Sequence, residues 1–167
     1  RNVRSLMINN TDNIIQQLTD IYLSNEEWWH KHKLSPEESN LYHQTMIERG
    51  NLIYEQDNNG KLLGYCEFLR INFEQWGRMV CHAPFYNFDE NTTDGNICVV
   101  SNIWIHKDYR RSLVFALLKM RFLELNHHCE YFAGEANKKH ANIIKVFKKE
   151  DLHSKSFREV MLNKINI

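Results

Sequence analysis

Residues 97–125 constrain the fold more than any other stretch of the chain. ICVVSNIWIH is an almost unbroken run of apolar and β-branched residues, the pattern of a central buried strand. Through KDYRRS it leads at once into a segment where Val114, Leu117, Leu118, Phe122 and Leu125 recur at helical spacing. A buried strand that feeds an amphipathic helix implies a layered α/β domain, because such a helix packs back on the sheet and the next strand returns parallel.

The flanking segments extend this plan. Residues 11–23 place Ile14, Ile15, Leu18, Ile21 and Tyr22 on one stripe of a helix, with Thr11 and Asp12 available to cap it. SPEESNLYHQTMIERG predicts a second helix, with Ser35, Pro36 and Glu38 as its start and Gly50 as its stop. NLIYEQDNNGKLLGYCEFLRINF reads as two antiparallel strands around Asp57-Asn58-Asn59-Gly60. Residues 75–96, with Trp76, Cys81, His82, Pro84 and Asp94-Gly95, read as a long functional connection. CEYFAGEA is expected to be a strand, HANIIKVFKK a helix and SFREVMLNKI a last strand. The fold class is therefore α/β, with a partly parallel sheet in the second half and an antiparallel first half.

At 167 residues the chain suits one domain, and no linker or repeat divides it. Lys+Arg and Asp+Glu number 21 each, so net charge does not indicate a nucleic-acid partner. No apolar run has the length of a membrane span, and the opening RNVRSLMINN lacks a signal-peptide core, so the expectation is a cytoplasmic protein with no membrane partner. The four widely spaced cysteines read as reduced thiols. Abundant Asn, Ile and Lys hint at an AT-rich genome, such as that of a low-GC bacterium or its phage.

A strand-to-helix turn presents free amides and a helix dipole to an anion. Here Arg110 and Arg111 stand at that turn although cations oppose the dipole; contact with phosphate is one reason for them, and an exposed basic turn paired with Asp108 or Glu residues is the other. Ile105-His106-Lys107-Asp108-Tyr109-Arg110 resembles the strand-four ending Val-x-Pro-x-x-Arg of the GNAT superfamily of acyl-CoA-dependent N-acyltransferases, and Ala116-Leu117-Leu118 resembles the helix that follows. Residues 142–152, Asn142 to Leu152, are similar to that family's Asn-Ala-Ile-Arg-Leu-Tyr-Glu-Lys-x-Gly-Phe.

The resemblance implies a GNAT fold with a mixed sheet of about six to seven strands, and acetyl-CoA or another acyl-CoA as co-substrate. It implies direct acyl transfer to a small-molecule or protein amine; a homodimer is left open. It places Arg110, Arg111, Ser112, Leu113, Val114 and Phe115 at the pyrophosphate, the backbone of Ile103 and Ile105 along the pantetheine, and Asn142 and Phe147 near the pantetheine arm and thiol. Leu113 and Phe115 stand at the family's glycine positions, and Phe147 replaces a Tyr that protonates the thiolate. Candidate catalytic residues are Glu67, the strand carboxylate, His106 and Ser101, with His82 and Asn102 as further candidates.

Trp28-Trp29 with His30 and His32 reads as packing, and His127-His128-Cys129 has no partner at metal-ligand spacing, so no metal is assigned. The altered loop keeps other readings open. One is an atypical acyltransferase that uses another donor, such as acyl-carrier protein, or modifies a macromolecule. Another is a non-catalytic GNAT-like binding or phage structural module.

Overall fold

The computed structural model describes residues 2–24, 34–82, 95–138 and 141–159. Among them a five-stranded sheet of order β1-β2-β3-β4-β5 comprises β1 (Leu52–Gln56), β2 (Leu62–Ile71), β3 (Ile97–Ile105), β4 (Tyr131–Lys138) and β5 (Ala141–Lys148). Helices α1 (Asn2–Ser24), α2 (Pro36–Glu48), α3 (Phe73–His82) and α4 (Val114–Leu125) flank it. Only β3 and β4 pair in parallel, across the α4 crossover; the other neighbours are antiparallel. The α/β class and the mixed sheet agree with the sequence reading. No helix among the described residues is long and apolar enough to cross a membrane.

The sheet is a middle layer with an apolar core on each face. Cys66, Phe68, Val100, Ile103 and Ile105 pack under Val114, Leu118 and Phe122 of α4. On the other face Tyr65, Leu69, Ile71 and Val99 meet Ile14 and Leu18 of α1 and Met46 of α2. This two-sided burial is why β3 reads as an almost unbroken apolar run.

Local signals account for the first half. Ser35 Oγ accepts from the Glu38 amide and Glu38 Oε1 from the Ser35 amide, both at 3.1 Å, so a full capping box opens α2 behind Pro36. Ser35→Ala should cost about 1 kcal/mol of stability, read as a lowered denaturant midpoint at unchanged slope. Gly50 and Gly60 take positive φ, as the helix stop and the hairpin turn require. Gln17 of α1 then clamps the turn, donating to the Gly60 carbonyl and accepting from the Leu62 amide, both at 2.8 Å.

Four expectations need correction. Helix α1 starts at Asn2, so Thr11 and Asp12 lie inside it; no Gly or Pro interrupts residues 2–24. The connection at 75–96 opens with α3, which Asn72 and Gln75 start by reciprocal bonds of 2.8 and 3.0 Å. Residues 141–148, expected to be helical, form β5, because β-branched Ile143, Ile144 and Val146 pair along the whole of β4. A strand was expected from Ser156, but residues 155–159 are helical, with the Phe157 amide bonded to Ser154 Oγ. The described sheet thus has five strands where six to seven were expected.

Candidate functional site

Two features meet on β3. The first is an opening in the sheet. The β3–β4 ladder runs from Ile97↔Tyr131 to Val100↔Gly134. Beyond that point β3 continues to pair with β2 as far as Ile105, while β4 pairs with β5 as far as Lys138. The parallel strands therefore part company after Val100, where β3 bulges. Glu67 faces Asn102 and Phe68 faces Val100, which makes Ser101 the extra residue of the bulge. Ile103 and Ile105 bury their side chains toward α4, so what they offer the opening is backbone.

The strand ends in a compact turn that starts α4. His106 Nδ1 accepts from the Asp108 amide at 3.2 Å, and a 3-10 turn spans Lys107–Tyr109. Arg110 Nε donates to the Ile105 carbonyl at 3.4 Å, tying the turn to the strand, and both Arg110 and Arg111 are exposed. Ser112 Oγ accepts from the Val114 amide at 3.3 Å, and the N-cap residue Leu113 brings no side-chain acceptor. Beyond the Val114 amide, the start of α4 receives no side-chain cap from its N-cap residue, which suits an anion.

Leu113 has negative φ and is 76% exposed, so its side chain turns to solvent and leaves the helix start open. No described non-glycine residue has positive φ, so this turn follows a path that needs no glycine for conformational reasons. Val114 is buried against the sheet and Phe115 is half-buried beside it.

The second feature is a buried polar group on the opposite face. Glu67 is 5% exposed, roofed by α2. Tyr42 Oη donates to its Oε2 at 3.2 Å, and His43 Nε2 lies 3.6 Å from Oε1. Burial pushes the Glu67 carboxyl up to about 7, opposed by the Tyr42 hydroxyl, which favours the ionised form. Burial also pushes His43 down to about 4, partly offset by its bond to the Ser39 carbonyl. Asn102 Nδ2 donates to Tyr65 Oη at 2.8 Å, and Tyr65 stacks on Trp104 at 6.1 Å. Edge contacts then continue from Trp104 to His106 and on to Tyr109. An aromatic row therefore runs from the buried carboxyl toward the turn before α4.

The structure brings Glu67 of β2 together with Ser101 and Asn102 of β3 at the bulge and puts His106 just past the end of β3, in the turn before α4. It does not bring Asn142 or Phe147 to β3. Both lie on β5, beyond β4 in the sheet, and Phe147 is buried against Phe157 at 5.3 Å. His82 ends α3. Trp28, Trp29, His30 and His32 fall outside the described residues.

Sequence reasoning missed Tyr42 and His43. The available signal was the buried stripe of α2, Ser39, His43 and Met46, whose helical spacing places two polar side chains against the core. No family model matches the chain, and no curated protein matches it in sequence.

Proposed function

We propose that the chain is a GNAT-type N-acyltransferase, moving an acetyl or other acyl group from acyl-CoA directly to an amine. The observation that carries this reading is the parting of parallel β3 and β4 after Val100, beside a helix whose N-cap residue supplies no side-chain cap. Such a gap accepts an extended chain with amide groups along the backbone of Ile103 and Ile105. A diphosphate then reaches α4, where Arg111 and the leading amides complement its charge.

In the reaction the amine attacks the thioester carbonyl, whose developing negative charge β3 amides stabilise. The C–S bond breaks, CoA leaves as thiolate, and the ammonium proton passes through water to ionised Glu67. A carboxyl held up to about 7 suits that step near neutral pH. Phe147 has no proton to donate and packs in the core, so the thiolate leaves without help from that side chain.

The burial of Glu67 favours one second reading, a non-catalytic binding module in which the carboxyl is structural. A transfer assay with labelled acetyl-CoA and a panel of primary amines separates the two. Arg111→Ala should raise the apparent KM for acetyl-CoA by about tenfold or more without lowering Tm, as loss of a charge-assisted phosphate contact predicts. An unchanged KM removes Arg111 from the site, and no transfer to any amine supports the module.

A further inference from the structure

The buried surroundings of Glu67 contain more than a carboxylate needs for structure. His43 Nδ1 lies 2.8 Å from the Ser39 carbonyl, which can only accept, so Nδ1 carries the hydrogen. In the neutral ring Nε2 is then a bare acceptor, and it faces Glu67 Oε1. The other oxygen, Oε2, faces a donor, the Tyr42 hydroxyl. One carboxyl group is held between a neighbour that favours its ionised form and a neighbour that favours its protonated form.

The backing is ordered as well. Ser39 Oγ is 3.3 Å from His43 Nδ1, and Thr19 Oγ1 is 3.1 Å from Ser39 Oγ and 2.7 Å from Asn40 Oδ1. Tyr22 of α1 and Tyr42 of α2 meet the imidazole edge-on, at 6.4 and 5.2 Å between centroids. The groups around the pair are thus Thr19 and Tyr22 from α1, Ser39 and Tyr42 from α2, Tyr65 from β2 and Asn102 from β3. These contacts keep the imidazole from turning, and a ring flip would leave the Ser39 carbonyl facing a carbon.

We propose that His43 is a positioning residue for the proton taken up by Glu67: its Nε2, 3.6 Å from Oε1, closes to hydrogen-bond distance when that oxygen is protonated, while Tyr42 steadies the ionised carboxylate. The assignment rests on the reading of Glu67 as the proton acceptor in acyl transfer. In the step, the proton bonds to Oε1 and is offered to Nε2, so the pair gains one positive charge and the amine loses one. No further reactant is needed.

The test is the titration of the Glu67 carboxyl carbon by 13C NMR, assigned by its loss in Glu67→Gln. Tyr42→Phe should move the midpoint up and His43→Phe should move it down, each by about 0.5 pH or more. Shifts of the same sign, or none, overturn the proposal, because a group raised by burial alone responds alike to either substitution. The unmutated protein supplies a second reading if a variant does not fold. Long-range 1H–15N spectra at pH 8 should show hydrogen on Nδ1 of His43 and none on Nε2, and the reverse tautomer refutes the pair.

Neither measurement requires turnover. If both succeed while no amine is acylated, the proton pair stands and the acyltransferase reading fails. If transfer is found, the acid limb of kcat/KM should follow the NMR midpoint in each variant, with the KM for acetyl-CoA unmoved.

Discussion

Glu67→Gln should lower kcat by about 100-fold or more while leaving acetyl-CoA affinity within about twofold, because the amide fills the same space and cannot take a proton. The same substitution should make the protein more stable. The Glu67 carboxyl is raised by burial from 4.5 to about 7, so between those values the folded state holds a proton that the unfolded chain has released. Its contribution to stability is complete below the unfolded value and is lost as pH rises through the folded one. Glutamine does not titrate. Above pH 7 the variant should therefore exceed the parent by up to about 3 kcal/mol, and the parent's decline between pH 4.5 and 7 should flatten. Denaturant unfolding at pH 5 and pH 8 checks this. An equal stability difference at the two values, together with an unaltered rate, contradicts both roles of the side chain.

A less active, more stable variant is the expected mark of a functional group kept at a structural cost. A purely structural Glu67 predicts the same pH-dependent gain in stability with an unaltered rate, so the rate decides between the two roles.

Gly95→Ala should have the largest effect on folding. An added Cβ at Gly95 would lie 2.2 Å from the carbonyl carbon and oxygen of Ile71 and 2.3 Å from its amide nitrogen. Those are backbone atoms at the end of β2, where Ile71 pairs with Ile97, so nothing flexible can yield. The β2–β3 ladder would have to open at its end, beneath the apolar contacts of Ile71 and Ile97 with α1 and α2. A loss of about 4 kcal/mol or more is expected, equivalent to roughly 10 °C in Tm for a domain of this size. Thermal unfolding within about 3 °C of the parent contradicts the close approach.

The parts of the fold legible in the sequence are those fixed by neighbours in the chain. Ser35-Pro36 with Glu38 starts α2, and Asp57 to Gly60 turns the hairpin, because each signal acts over three or four residues. The buried run of β3 and the helix after it were equally readable, since burial on two faces leaves its own pattern. Helix α3 carried a legible start in Asn72 and Gln75, masked by the aromatic and polar residues around it.

Strand β5 shows where periodicity fails. Ile143, Ile144 and Phe147 fit a helical spacing as well as an extended one, and the decision comes from β4, its partner across the turn. That loss also weakens the similarity of residues 142–152 to the family's helix, so the proposed function leans on the strand opening instead. The candidate site was half legible for the same reason. Glu67 was visible as a polar residue in an apolar strand, whereas Tyr42 lies 25 positions away, and no local spacing connects them.

Calorimetric titration of the protein with acetyl-CoA asks whether the gap between β3 and β4 binds an acyl-CoA. Saturable binding with one site per chain is expected, with competition by free CoA and at least tenfold weaker affinity, about 1.4 kcal/mol, in Arg111→Ala. No heat of binding and no thermal stabilisation with millimolar acetyl-CoA would contradict it.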